Sequence, residues 1–177
     1  DYITTVSDSY ALEIQNDFYG EGLDGLLRHR AQDLSGIVNG LDYDEYNPAT
    51  DPLIVKNYDV SDFRKEKVKN KTALQKELGL TVDPKVFTIG IVSRLTDQKG
   101  FDLIDYMIEE ICAPDTQLIV LGTGEAKYEN LFRHFEWKYK DRVSANIYYS
   151  NERSHRIYAA CDAYLMPSLF EPCRLSQ

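Results

Sequence analysis

The sequence predicts an α/β fold built on a Rossmann-like parallel sheet with flanking helices. From Val86 onward, short apolar runs alternate with segments of helical periodicity, which is the pattern of consecutive βαβ units. The apolar runs are rich in β-branched residues, as expected of buried strands. The chain has 177 residues, 43% of them hydrophobic, which is enough for one domain with a substantial core.

Seven segments carry this alternation. Val86–Val92 predicts a buried strand because its apolar residues follow one another almost without a break, and Phe101–Ile111 has apolar residues at helical spacing. The others are a strand over Gln117–Leu121, a helix over Glu125–Lys140, a strand over Val143–Tyr149, a helix over Glu152–Cys161 and a strand over Ala163–Met166. Right-handed crossovers between the parallel strands follow by default.

The first part of the chain is less regular. Tyr2–Val6 predicts a strand, and Ser7 is a suitable N-cap for a short helix after it. Turn-forming pairs and prolines cluster between Gly40 and Tyr58, which indicates a linker between two folding units. A further helix is expected to end at Leu78, where Gly79 is a suitable cap.

Charge and composition exclude several classes of protein. The net charge is −9, whereas a nucleic-acid-binding domain usually carries a basic face. The basic run Arg64–Lys71 is mixed in sign and predicts a solvated helix face. No segment is apolar for long enough to span a bilayer, so no membrane contact is expected. The three cysteines are widely spaced, which favours free thiols in a reducing compartment over a metal site.

Two loops carry residues that could act on a ligand at the carboxyl edge of the sheet, where such folds bind ligands. Arg94 and Lys99 are either two surface cations or a diphosphate clamp beside a helix N-terminus, and spacing alone favours neither interpretation. Glu171 follows another predicted strand and is either an exposed loop acid, the simpler interpretation, or a carboxylate that binds sugar hydroxyls. Tyr149 could stack on a base, although packing is the simpler interpretation.

Several stretches taken together resemble bacterial glycogen synthases and plant starch synthases, which are retaining glucosyltransferases of the two-domain GT-B fold. The resemblance runs through essentially the whole chain, in order. It is carried by Tyr19–Arg30, Leu34–Asp42, Asn47–Asp51, Ser93–Gly100, Leu121–Gly124, His155–Tyr158 and Pro167–Gln177. It implies that residues 1–40 are the tail of the N-terminal domain with the interdomain segment, and that residues 41–177 are a truncated C-terminal nucleotide-sugar-binding domain.

The resemblance also implies a reaction: glucose passes from ADP-glucose to the non-reducing end of an α-1,4-glucan with retention, and no metal or other cofactor takes part. Arg94 and Lys99 would hold the diphosphate and stabilise the departing charge. Glu171 would bind hydroxyls of the transferred glucose. Tyr149 would stack on adenine, and Asn39 would face the sugar from the interdomain segment.

The end of the chain holds the remaining implied site residues and a departure from the family. Cys173 and the backbone of Arg174 and Leu175 would lie against the sugar and the phosphate. Arg174 stands where the family usually has glycine, which allows close backbone approach. Two interpretations stay open: the arginine blocks the donor pocket, or it is an error in the sequence.

By the standard of the resembled family the chain is incomplete, so the segment alone is expected to be inactive. The strand over Ala163–Met166 would lack a neighbour, and its open edge is expected to cause self-association. The expected compartment is the bacterial cytoplasm, or the plastid for a plant protein. Two alternative functions stay open: a non-catalytic nucleotide- or glucan-binding module, and a related GT-B transferase that uses a UDP-sugar.

Overall fold

The computed structural model describes residues 1–169 and residue 171. The chain divides into two units: unit 1 takes in residues 1–42 and 170–177, and unit 2 takes in residues 43–169. The elements of unit 1 are the strand β1 (Ile3–Thr5), the helices α1 (Asp8–Glu13) and α2 (Asp24–His29), a 3-10 turn (Ala31–Asp33) and the strand β2 (Leu34–Gly36).

Unit 1 is organised around two short parallel strands, in which Ile3 pairs with Leu34. Helix α1 begins where the sequence predicts, because the Ser7 hydroxyl accepts a hydrogen bond from the Tyr10 amide at 3.1 Å. The backbone of β2 passes so close to Ser7 that a Cβ on Gly36 would lie 2.0 Å from the Ser7 carbonyl carbon. Only glycine fits at that crossing.

Unit 2 contains the larger sheet. Its elements are α3 (Phe63–Glu77), β3 (Phe87–Val92), a 3-10 turn (Asp97–Lys99), α4 (Phe101–Ile111), β4 (Thr116–Leu121), α5 (Ala126–Lys138), β5 (Val143–Asn146), α6 (Asn151–Ala160) and β6 (Ala163–Tyr164). In the described part of the chain, none of the helices combines the length and the apolarity needed to cross a membrane.

The four strands of unit 2 form one parallel sheet in the order β5-β4-β3-β6. Strands β5 and β6 are shorter than predicted, and in both cases the apolar residues continue beyond the end of the ladder. After Asn146 the chain turns, with the Tyr148 amide donating to the Asn146 carbonyl oxygen at 3.0 Å. Apolar composition marks a buried segment, but backbone pairing decides where a strand ends.

Both faces of this sheet are covered, as the continuous apolar runs predict. Alternate residues of β4 point to opposite faces: Leu118 and Val120 enter one core, and Ile119 and Leu121 enter the other. The first core holds residues of α4 and α5, among them Phe101, Ile104, Ile108, Phe132 and Phe135. The second holds residues of α3 and α6, including Leu74 and Ile157. The predicted α/β architecture is confirmed.

The prediction of a solvated face for the basic run in α3 is wrong for part of the run. Glu66, Asn70 and Lys71 are buried. The Lys71 ammonium donates to the Asp162 carboxylate at 2.5 Å and to the Val86 carbonyl oxygen at 3.0 Å. These partners lie 15 or more residues away in the sequence, so the local charge pattern does not reveal them.

Candidate functional site

The sheet of unit 2 has a topological switch point between β3 and β6. From β3 the chain moves through β4 to β5 on one side and then returns to place β6 on the other side. The chain segments that leave β3 and β6 therefore start side by side at the carboxyl edge of the sheet. Open α/β sheets bind ligands at this edge, at such switch points.

The segment that leaves β3, residues Ser93–Gly100, is named the cation loop here. Its first half runs beside the segment that leaves β4. The Ser93 amide donates to the Leu121 carbonyl oxygen at 3.1 Å, and the Leu95 amide donates to the Thr123 carbonyl oxygen at 3.0 Å. Leu95 is fully buried in the first core. Backbone pairing and one apolar side chain thus fix the stem of the loop.

Two glycines after β4 allow this close pairing. A Cβ on Gly122 would lie 1.8 Å from the Ser93 carbonyl oxygen, and one on Gly124 would lie 2.2 Å from the Leu95 carbonyl oxygen. The sequence favours a tight turn over a phosphate loop for this glycine pair. The structure adds that both glycines face the cation loop, and a side chain at either position would push the two segments apart.

The segment that leaves β6, residues Leu165–Leu169, is named the exit segment and lies along the other half of the cation loop. The Leu169 amide donates to the Gln98 carbonyl oxygen at 2.9 Å. Gly100 has φ +72°, and a Cβ there would lie 2.1 Å from the Pro167 carbonyl oxygen. These contacts hold the two segments together at the switch point.

The two predicted cations both lie on the cation loop. Arg94 is exposed, and Lys99 is half-buried at the end of the 3-10 turn. Helix α4 begins directly after the loop at Phe101, and the N-terminus of a helix favours anions. The carboxylate of the same loop, Asp97, is paired with Lys127 at 2.5 Å. This arrangement suits a ligand with negative charge.

Tyr149 lies at the same edge of the sheet, just beyond the end of β5. Strand β5 is two strands away from β3, which places it about 10 Å away at the usual strand spacing. The Tyr149 side chain is 89% exposed. Tyr148 is less exposed, and its hydroxyl donates to the Asn146 side-chain oxygen at 3.1 Å. Of the two rings, Tyr149 offers the open face.

The other predicted site residues belong to unit 1 or fall outside the described residues. Asn39 is exposed and Glu171 is half-buried, and both belong to unit 1. Cys173, Arg174 and Leu175 lie outside the described residues. The structure therefore places Arg94, Lys99 and Tyr149 at the same edge of one sheet, on loops that follow β3 and β5.

His155 has a role in the structure that the sequence does not reveal. Its side chain is 1% exposed, and its Nδ1 lies 2.7 Å from an Asp51 carboxylate oxygen. Tyr46 stacks on the imidazole with ring centroids 4.7 Å apart. These residues line a cavity of about 90 Å³. The contacts join the segment after residue 43 to α6, so His155 acts in packing.

The two thiols in the described part of the chain are poorly suited to act as nucleophiles. Cys112 and Cys161 are free and buried. Burial raises the pKa of Cys112 to about 11 and the pKa of Cys161 to about 12. Among residues 1–169 and 171, no three His, Cys, Asp or Glu side chains converge as metal ligands would. The candidate chemistry of the described edge therefore depends on cations and an aromatic ring.

Comparison with known proteins identifies the family of the chain. The profile of the glycosyl transferases group 1 matches residues 86–176, and the profile of the starch synthase catalytic domain matches residues 1–29. Glycogen synthases of Lachnoclostridium phytofermentans and Lachnospira eligens are 70% and 68% identical over all 177 residues, which cover 37% of each relative. The chain thus spans little more than a third of these relatives.

A solved structure extends the comparison to the fold. The catalytic domain of starch synthase IV from Arabidopsis thaliana, bound to ADP and acarbose, is 37% identical, with a TM-score of 0.91. The match covers 99% of this chain and 36% of that one. The resemblance to glycogen and starch synthases is confirmed, and so is the prediction of part of a GT-B fold. The chain belongs to the group 1 glycosyl transferases, and its relatives are glycogen and starch synthases.

Proposed function

We propose that this chain is the donor-binding part of a glycogen or starch synthase, which transfers glucose from ADP-glucose to the non-reducing end of an α-1,4-glucan with retention. The observation that carries the proposal is the cation loop at the switch point, in a chain 70% identical throughout to a glycogen synthase. The A. thaliana relative was solved with ADP, the nucleotide part of the proposed donor.

In the proposed reaction the bond between glucose and the diphosphate breaks, and negative charge develops on the departing ADP. Arg94 and Lys99 stabilise that charge by pre-placed electrostatic interactions. Glu171 binds hydroxyls of the transferred glucose. Arg94 and Lys99 supply the positive charge in the proposed mechanism, which uses no metal and no other cofactor.

The remaining positions bind the donor in this proposal. Tyr149 stacks on the adenine, an interaction worth about 1–3 kcal/mol per base for an aromatic side chain. Asn39 faces the sugar, and Cys173 and the backbone of Arg174 and Leu175 lie against the sugar and the phosphate. A stacking ring accepts a uracil as well as an adenine, so Tyr149 alone does not select ADP over UDP.

Titration calorimetry of the chain with ADP, and with UDP in parallel, tests donor binding. We expect saturable ADP binding that is weakened about tenfold or more by Arg94→Ala, since a hydrogen bond to a charged group contributes about 1.5–3 kcal/mol. Arg64→Ala is the matched control, because it removes the same charge from an exposed position at the start of α3. Equal losses of ADP affinity in Arg94→Ala and Arg64→Ala would contradict the proposal. Tighter binding of UDP than of ADP would favour a UDP-sugar donor.

Transfer is proposed for a chain of the relatives' full length and is tested in a chimaera. This 177-residue segment would replace its counterpart in the L. phytofermentans glycogen synthase, which is 70% identical to it. We expect incorporation of glucose from ADP-glucose into glycogen, and loss of incorporation with Arg94→Ala. If only the Arg174→Gly version is active, Arg174 blocks the donor pocket. If that version is inactive as well, a non-catalytic binding module becomes the better account.

The proposal extends to association and compartment. Among the described strands, β6 pairs with β3 alone, and its other edge has no partner strand. Because an open edge invites pairing with a second chain, we expect self-association. A constant monomer mass in light scattering as the concentration rises would contradict it. The bacterial relatives favour the bacterial cytoplasm over a plastid as the compartment.

A further inference from the structure

The first turn of α5 contacts the cation loop through Asp97. The Lys127 ammonium and the Tyr128 hydroxyl each donate to the same Asp97 carboxylate oxygen at 2.5 Å. The Asp97 amide donates to the Glu125 carboxylate at 3.0 Å. Asp97, Lys127 and Tyr128 are named the loop cluster here.

Asp97 is placed where it can orient the rest of the loop. It begins the 3-10 turn that ends at Lys99, and its carbonyl oxygen accepts a hydrogen bond from the Gly100 amide at 3.0 Å. On the other side of Asp97, the Leu95 carbonyl oxygen accepts a hydrogen bond from the Glu125 amide at 2.8 Å. The stretch between Arg94 and Lys99 is therefore held from the start of α5.

The same arrangement occurs at the opposite end of α5. Lys138 and Tyr139 both donate to the Glu109 carboxylate, the hydroxyl at 2.6 Å. Glu109, Lys138 and Tyr139 are named the distal cluster. In both clusters the carboxyl pKa is held below its usual range, first by the lysine and then by the tyrosine hydroxyl. The distal cluster contacts α4 rather than the cation loop, so it is a control within the molecule.

We propose that Lys127 and Tyr128 are positioning residues, which act through Asp97 to hold Arg94 and Lys99 in place for a diphosphate. This inference rests on the proposed donor binding. The Lys127–Asp97 pair is exposed, and exposed ion pairs contribute little to global stability. The Tyr128 ring is buried in the first core, and Tyr128→Phe keeps that ring while it removes the hydroxyl. The expected effect of the loop cluster is therefore on the placement of the loop and not on folding.

The test compares four single variants in the 177-residue chain. Lys127→Ala and Tyr128→Phe remove one donor each from the loop cluster, and Lys138→Ala and Tyr139→Phe remove the equivalent donors from the distal cluster. Each variant is measured for ADP affinity by calorimetry and for melting temperature. The two tyrosine variants keep the net charge, so they separate positioning from a direct attraction between a lysine and the ligand.

Two results are expected of the loop-cluster variants. ADP affinity falls about two- to fivefold, which matches the contribution of an exposed ion pair, while the melting temperature of Lys127→Ala falls by no more than about 4 °C. The distal variants leave ADP affinity unchanged. Lys127→Arg restores most of the affinity because it keeps a donor on Asp97. A loss seen with Lys127→Ala but absent with Tyr128→Phe would overturn the positioning role.

A second readout tests the loop cluster without any ligand. The amides of Lys99 and Gly100 donate within the 3-10 turn at 3.0 Å, so their hydrogen exchange reports opening of that turn. Faster exchange at these two amides is expected in Lys127→Ala and Tyr128→Phe but not in the distal variants. Unchanged exchange would overturn the inference even where ADP binds. Faster exchange without ADP binding, in the Arg174→Gly chain as well, would support the loop cluster and reject the proposed donor.

Discussion

Gly100 lies where the cation loop meets the exit segment, and its replacement by alanine tests that contact quantitatively. Gly79 provides a matched control, because its φ is +70° against +72° for Gly100, yet a Cβ on Gly79 would meet nothing within 4 Å. A Cβ on Gly100 would lie 2.1 Å from the Pro167 carbonyl oxygen. The two substitutions therefore share the backbone strain and differ in the collision.

The expected magnitudes follow from these two terms. A residue other than glycine in a left-handed conformation costs about 1–2 kcal/mol, so Gly79→Ala should lower the free energy of unfolding by that amount. Gly100→Ala adds the displacement of the exit segment, and forcing extra volume into a packed site costs about 1–3 kcal/mol more. The total for Gly100→Ala is about 2–5 kcal/mol, a large part of the stability of an ordinary domain.

Urea unfolding followed by circular dichroism measures both variants on one scale. We expect a lower midpoint for Gly100→Ala than for Gly79→Ala, with similar slopes, since the surface exposed on unfolding hardly changes. ADP affinity should also fall in Gly100→Ala alone, because the displaced segment contacts the cation loop. Equal losses of stability in the two variants would refute the close approach of the two segments.

Three further predictions concern buried groups. Asp51→Ala leaves the Nδ1 of His155 buried without its partner, so we expect a loss of about 1–3 kcal/mol in urea unfolding, against little change for Asp105→Ala, which is exposed on α4. Burial raises the pKa of Cys112 from 9.0 to about 11, so the unfolded chain loses this proton first as the pH rises. The free energy of unfolding should fall between about pH 9 and 11, and less so in Cys112→Ala. The Cys161 thiol should resist alkylation at pH 8 until the chain unfolds, and fast native labelling would show that it is accessible.

The sequence predicts the regular elements of unit 2 well where local pattern decides. Helix α4 occupies Phe101–Ile111 as predicted, because its apolar spacing continues from end to end. The buried polar contacts could not be predicted in the same way. His155 and Asp51 are 104 residues apart, and Gln75 and Gln117, which share a buried hydrogen bond, are 42 apart. Only the folded chain brings such partners together.

The same distinction applies to the candidate site: local pattern identifies some of its residues, and only tertiary packing identifies the others. Arg94 and Lys99 could be singled out because they follow a predicted strand, and parallel strands direct their loops to one edge. Lys127 lies 30 residues from Asp97 on a predicted helix, where a surface lysine needs no special explanation. Its contact depends on how the start of α5 packs beside the cation loop, and no local pattern encodes that packing.

The central claim is that a nucleoside diphosphate binds at the switch point, on the loops that follow β3 and β5. Mapping of amide chemical shifts during ADP titration tests this claim most directly. The account predicts the largest changes in the cation loop and at Tyr148 and Tyr149. The amides near Asp83 and Gln117, which is close to the amino end of β4, should stay unchanged. Shifts concentrated at those amides, or none at saturating ADP, would contradict the account.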